Sequence, residues 1–219
     1  MLCLMFKMNE KFFDELRKKV KEYMESGGSH EFSHVERVYN LAVKIAENEK
    51  ADLDIIKAAA LLHDIARIKE DNGEIKCHAE EGAKIAGEIL EKTDFPKEKI
   101  VHVCECIRVH RFSKGLKAET KEAMIIQDAD RLDALGAIAI ARIFAYGGKK
   151  GRIMHLPDIK PRENSDGESK TSFIHFYEKI LKIKPEIFNT ITAKRIAKHR
   201  YKFVKKFMKE FLEEWEGIV

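Results

Sequence analysis

Two stretches of this chain place ionisable side chains where water should be absent. His63 and Asp64 sit in the run Ala58-Ala59-Ala60-Leu61-Leu62-His63-Asp64-Ile65-Ala66. Asp128, Asp130 and Asp133 sit in a second run, apolar on nearly every side through Ile125, Ile126, Ala129, Leu132, Leu135 and Ile138. Helices of that composition belong in an interior. A carboxylate taken out of water without a partner is costly enough to unfold a small domain. Arg131 can neutralise one of these aspartates and hardly all three. A divalent cation resolves the conflict, because histidine nitrogens and carboxylate oxygens together suit Mn, Fe, Co, Ni, Zn or Mg.

His34, the pair His63-Asp64, and Asp130 within QDADRLDALG resemble the H...HD...D signature of the HD-domain phosphohydrolase superfamily. The surrounding segments SHVERV, ALLHDIAR and HAEEGAKIA, with the later YGG and HFYEKIL runs, resemble one subgroup of it, small stand-alone hydrolases acting on nucleotides. The resemblance extends from about residue 29 to the C-terminus. It implies a single divalent metal chelated by His34, His63, Asp64 and Asp130. Manganese is the first choice, and Mg, Co, Ni, Fe and Zn are compatible with the same donors.

His78 and His110 fall between the HD pair and the final aspartate, at positions similar to the middle histidines that hold a second metal in the HD-GYP branch. The HHE and GYP segments of that branch are missing, so contact with a substrate phosphate is the expected role of both. Asp133 follows Asp130 by one turn on the same face, placed to orient or deprotonate an attacking water, or else to pair with Arg131 or Arg37. Glu80 and Glu81 open the helix after His78; either could position water, although the helix dipole favours carboxylates there in any case. Lys179, Arg195 and Arg200 lie on the closing helices, as phosphate contacts or as a solvated face. GGKKG is not a phosphate loop, since GxxxxGK[ST] is absent.

Two histidines and two aspartates leave coordination positions open for water and a phosphoryl oxygen, which suits hydrolysis of a phosphoester or phosphoanhydride. The resemblance implies a nucleotide substrate. The first reading is a deoxyribonucleoside triphosphate cleaved to monophosphate and pyrophosphate, with a phosphodiesterase or a nucleoside monophosphate phosphatase left open. A reading of another class is a non-catalytic helical module that binds nucleotide or nucleic acid through Lys194, Arg195, Lys198, Arg200, Lys202, Lys205 and Lys206. A net charge of +4 favours small anions but is too modest to imply nucleic-acid binding.

The elements that must position these residues read as all-α, because the apolar periodicity is helical nearly everywhere. Helices are expected from Asn9 to Tyr23, from a start at or beside His34 behind a Ser33/Glu36 capping box, and from an Asp52 cap through Ala66. Others follow from about His78 to Lys92, Lys97 to Arg111, Glu119 to Tyr146, Ser172 to Lys182 and Thr190 to Trp215. The chain is read as one domain, an HD helical bundle over about 29–146, one long loop over about 147–170 and C-terminal helices over about 171–216. That loop is expected to be a mobile flap ordered by an anionic ligand, or a passive insertion. Cys3, Cys77, Cys104 and Cys106 lack CxxC spacing and read as reduced thiols. No run is long enough to span a membrane and MLCLMFKM is too short for a signal core, so the expected location is the cytoplasm; self-association stays open.

Overall fold

The computed structural model describes residues 8–26, 32–111, 115–163 and 167–219. Its helices are α1 (Glu10–Ser26), α2 (Phe32–Glu49), α3 (Leu53–Leu62), α4 (Arg67–Asp71), α5 (His78–Glu91), α6 (Lys97–Val109), α7 (Lys121–Asp133), α8 (Ala137–Lys149), α9 (Ile174–Glu178) and α10 (Ile191–Trp215). Among the described residues the only extended pairing is an isolated bridge between Ile153 and Thr171. The fold is all-α. Two compact units divide at Asp130/Arg131, inside α7.

In the first unit α3 is the central element. Every residue from Asp54 to Leu62 is buried, and the Ala58-Ala59-Ala60 run presents so little side chain that α2 and α6 both pack against it. Asp52 caps the helix as expected, accepting from the amides of Asp54 and Ile55 at 2.9 and 3.3 Å. Lys99 at the start of α6 reaches both Asp52 and Asp54 at 2.8 Å, so the entrances of α3 and α6 are tied together. The helix does not run on through Ala66. Amides of Ile65 and Arg67 turn back to the carbonyls of Leu62 and Asp64 at 3.1 and 2.9 Å, which tightens the chain into turns. His63 and Asp64 therefore stand at the exit of α3, not midway along it.

In the second unit the helix expected over Glu119 to Tyr146 is broken. Gly136 has φ 91° and ψ −162°, a conformation essentially restricted to glycine. As a small residue it fits a helix interface, but here its value is that turn. Arg200 of α10 donates to the Leu132 carbonyl at 2.6 Å, beside the Leu135 amide that reaches the same oxygen at 3.1 Å. The helix expected over Ser172 to Lys182 is α9 followed by a 3-10 turn at Ile180–Lys182. α10 starts as read, with the Thr190 hydroxyl accepting from the Ala193 amide at 3.2 Å.

Rings from three helices build this unit's core: Phe144 of α8, Phe176 of α9, and Phe207 and Phe211 of α10. Phe173 stacks on Phe211 at 4.5 Å. The long loop is tied to this core. Amides of Ser172 and Phe173 donate to the carbonyls of Ile153 and Met154, both at 2.9 Å, and His155 packs edge-on to Phe173 and Trp215, both at 4.9 Å. Among the described residues Cys77, Cys104 and Cys106 are free thiols; Cys3 lies outside them. No described helix is long and apolar enough to cross a membrane.

Candidate metal centre

Three helices of the first unit deliver the four signature residues. α2 begins at Phe32, so Ser33 lies inside its first turn and His34 is carried into the interior near the helix entrance. The exit of α3 supplies His63 and Asp64. Asp130 comes from α7, whose Gln127 amide donates to the carbonyls of Val109 and Leu116 at 2.6 and 2.9 Å and ties that helix to the end of α6.

The donor atoms converge. His34 Nε2 is 3.3 Å from His63 Nε2 and 3.3 Å from Asp130 Oδ1. Asp64 Oδ2 lies 3.7 Å from His34 Nε2 and 3.8 Å from His63 Nε2. Donors bound about 2.1 Å from one ion stand about 3.0 to 3.4 Å apart, so modest contraction closes this set on a cation. The imidazole of His63 is already in the form a metal needs. Its Nδ1 donates to the Ala60 carbonyl at 2.8 Å, and burial holds its pKa down at about 4, so Nε2 presents a lone pair. Burial alone would raise the pKa of Asp64, but the neighbouring imidazoles of His63 and His110 hold it well below the usual carboxylate range. Burial opposes the charge of Asp130 too, and the bond from His34 reverses the direction. A divalent ion fits these donors in number, type and charge.

A second group of donor atoms adjoins the first. Among the described residues Asp64, His78 and His110 bring ligand atoms within 4.8 Å of one another, as His34, His63 and Asp130 do. Asp64 is shared between the groups. Its Oδ1 faces His78 Nε2 at 3.2 Å and His110 Nε2 at 3.7 Å, and those two nitrogens are 3.3 Å apart. His78 and His110 are both buried.

The other expected residues are placed as follows. Glu81 is half-buried in the first turn of α5, 3.4 Å from Lys84. Asp133 lies in the second unit, buried, with Oδ2 accepting from Arg142 at 2.7 Å. Lys179 ends α9 half-buried, and Arg195 is exposed on α10. Sequence reasoning passed over Glu70, which binds His78 and Arg111, and Arg162, which binds Glu178. Neither spacing has a helical period, so only the folded chain brings these partners together.

A family model described as HD domain matches residues 32–135, the stretch that holds all four signature positions. YpgQ of Bacillus subtilis is 32% identical over 195 residues, covering 89% of this chain and 88% of its own. A solved HD-superfamily hydrolase from Bacillus thuringiensis is 38% identical, covers 94% of this chain and 98% of its own, and superposes with a TM-score of 0.77. The crystal structure of Bacillus subtilis YpgQ in complex with ADP is 30% identical over 93% of this chain and 94% of its own, with a TM-score of 0.69. With those matches and a His/Asp cluster at the signature positions, the chain belongs to the HD-domain superfamily of hydrolases.

Proposed function

We propose that this protein is a metal-dependent nucleotide phosphohydrolase that cleaves a deoxyribonucleoside triphosphate to monophosphate and pyrophosphate, with His34, His63, Asp64 and Asp130 as metal ligands. The observation that carries the reading is the convergence of those four groups, His63 and Asp64 buried and His34 and Asp130 half-buried, with a neutral imidazole and two carboxylates held ionised. Manganese is the favoured ion. A divalent ion there supplies Lewis-acid polarisation of a phosphoryl oxygen and lowers the pKa of the attacking water. Glu81, half-exposed and one turn beyond His78, is the favoured proton acceptor. Asp133 is the weaker choice, because its side chain is buried and its Oδ2 is already engaged by Arg142 at 2.7 Å. Arg195 and Lys179 retain enough exposure to meet an anion and are assigned to the triphosphate. A nucleotide ligand is supported by the ADP complex of Bacillus subtilis YpgQ.

The test is a hydrolysis panel of triphosphates, monophosphates and cyclic dinucleotides with Mn or Mg, with products identified. Pyrophosphate released from deoxyribonucleoside triphosphates, abolished by chelator and by Asp130→Ala in a protein that still folds, is the expected result. Inorganic phosphate from monophosphates, with triphosphates untouched, overturns the substrate while leaving the metal site in place.

A further inference from the structure

The net charge of +4 conceals a division along the chain. Residues 1–130 hold 22 Lys and Arg against 26 Asp and Glu, a balance of −4; residues 131–219 hold 19 against 11, a balance of +8. Much of the surplus lies on one helix. From Ile191 to Lys209, α10 carries eight Lys and Arg and no carboxylate. Six of these, Lys194, Lys198, Lys202, Lys205, Lys206 and Lys209, are exposed and recur at three- and four-residue intervals, so they form one stripe about 22 Å long. The opposite side of the helix is occupied: Ala193, Ala197, Val204 and Met208 are buried, and Phe207 and Phe211 pack on Phe144.

Helix stability does not explain this stripe. Lys194 and Lys198, Lys198 and Lys202, Lys202 and Lys206, and Lys205 and Lys209 stand four apart, a spacing at which like charges destabilise a helix. The charges also oppose the macrodipole, with cations towards the start and Glu210, Glu213, Glu214 and Glu216 gathered at the end. A solvated face ordinarily mixes signs, as α1 does, where Lys11 pairs with Glu15 at 4.0 Å and Arg17 with Asp14 at 2.8 Å. On the α10 stripe, among the described residues, only Lys209 forms an ion pair, with Glu213 at 3.4 Å. A row of phosphates would relieve the repulsion along its length.

One aromatic ring borders the stripe. Phe203 is 45% exposed, with His199 one turn before it and Lys206 one turn after. A single-stranded nucleic acid offers both a phosphate row and unpaired base faces, and such bases stack on aromatic rings set among cations. A duplex keeps its base faces covered. An anionic membrane takes up an amphipathic helix through an apolar face, and that of α10 lies in the core.

We propose that the exposed face of α10 is a docking surface for single-stranded nucleic acid, with the six lysines on the phosphate backbone and a base stacked on Phe203. Lysines act as point charges and do not read base edges in pairs, so the binding is independent of sequence. The surface goes beyond the hydrolase reading, since none of these side chains is assigned to the metal or to the triphosphate.

The experiment follows the fluorescence anisotropy of a labelled oligothymidylate of about 20 nucleotides with the full chain, in chelator so that the metal centre takes no part. Six phosphate contacts give a slope of log K against log salt of about −4, a loss of about 300-fold between about 50 and 200 mM salt. Combining Lys198→Gln, Lys202→Gln, Lys205→Gln and Lys206→Gln should reduce the slope to about −1 to −1.5. That variant breaks all four repelling pairs, so urea unfolding should show it no less stable than the wild type. Phe203→Ala should weaken binding by about fivefold to a hundredfold and leave the slope unchanged. The proposal is overturned by an unchanged slope in the Gln variant, by undiminished affinity in Phe203→Ala, by a duplex or a phosphatidylserine vesicle bound as tightly as the oligonucleotide, or by no binding at about 50 mM salt.

Discussion

Replacing Glu178 by Gln should loosen the segment between α8 and α9 without touching the metal centre. Glu178 is 2% exposed. Oε1 accepts from the Arg162 amide at 3.1 Å and from Arg162 Nε at 3.0 Å; Oε2 accepts from Arg162 Nη2 at 3.1 Å and from the Ser169 hydroxyl at 2.7 Å. Glutamine keeps one acceptor oxygen, so the bonds made by Oε2 are lost and an N–H faces the guanidinium instead. A hydrogen bond to a charged group contributes about 1.5 to 3 kcal/mol. Arg162 is 40% exposed, so water screens part of its share, and the net cost should be about 2 to 3 kcal/mol.

The pH dependence follows from the direction of the shift. Chiefly because Arg162 donates to it, the folded Glu178 titrates at about 2, against 4.5 ordinarily. Its contribution is therefore fully present above about 4.5 and is lost as the pH falls towards about 2, so the difference between wild type and variant should close over that interval. Urea midpoints at pH 7 and pH 3.5 read the global effect. Hydrogen exchange reads the local one, at the Ser172 and Phe173 amides that donate to Ile153 and Met154. Unchanged exchange at those amides, or a stability gap that does not depend on pH, would refute the view that this carboxylate ties the segment down.

Gly136→Ala places a Cβ 3.2 Å from Arg200 Cγ at φ 91° and should cost about 1 to 3 kcal/mol in thermal or urea unfolding; a neutral outcome would mean that the turn between α7 and α8 relaxes freely. Asp133→Asn weakens the pair with Arg142 and should destabilise by about 1 to 2 kcal/mol while the acid limb of the pH–rate profile survives; loss of that limb with stability unchanged would make Asp133 the base. Mn at about 100 times its dissociation constant should stabilise the wild type by about 2.7 kcal/mol in thermal unfolding, and Asp64→Ala should lose most of that gain. An equal gain in Asp64→Ala would place the ion elsewhere.

The class of fold was legible from the helical periodicity; His63, Asp64 and the aspartates of the second apolar run stood out because burial and charge conflict in the amino-acid order, whereas His34 and the choice of Asp130 among those aspartates came from the family resemblance. An apolar run containing His63 and Asp64 needs an explanation wherever it folds. The helix interruptions were not legible, since Gly136 reads equally well as a small packing residue, and the turn after Leu62 depends on partners that no local pattern reveals. The tie between Arg162 and Glu178 was hidden for the same reason. A stretch rich in Gly, Pro, Lys and Asp reads as free loop until the buried carboxylate that holds it is seen.

The break after Leu62 also explains how the centre acquires its chemistry. His63 follows the last residue of α3 and His110 the last of α6, and each turns its Nδ1 back to the carbonyl three residues earlier, Ala60 at 2.8 Å and Ile107 at 2.6 Å. Within an uninterrupted helix those carbonyls are engaged by the backbone amides of the following turn; at a helix exit they need another donor. These carbonyls accept the Nδ1 protons, Ile107 alongside the His110 amide at 3.4 Å, and the same contacts turn Nε2 of both rings inward. Two helix C-termini also bring their partial negative charge to the cluster, which favours a cation there and disfavours an anion. A histidine moved one turn back into α3 would lose that carbonyl acceptor and the tautomer it selects. The position of the helix ends is thus part of the metal site, as much as the identity of the ligands is.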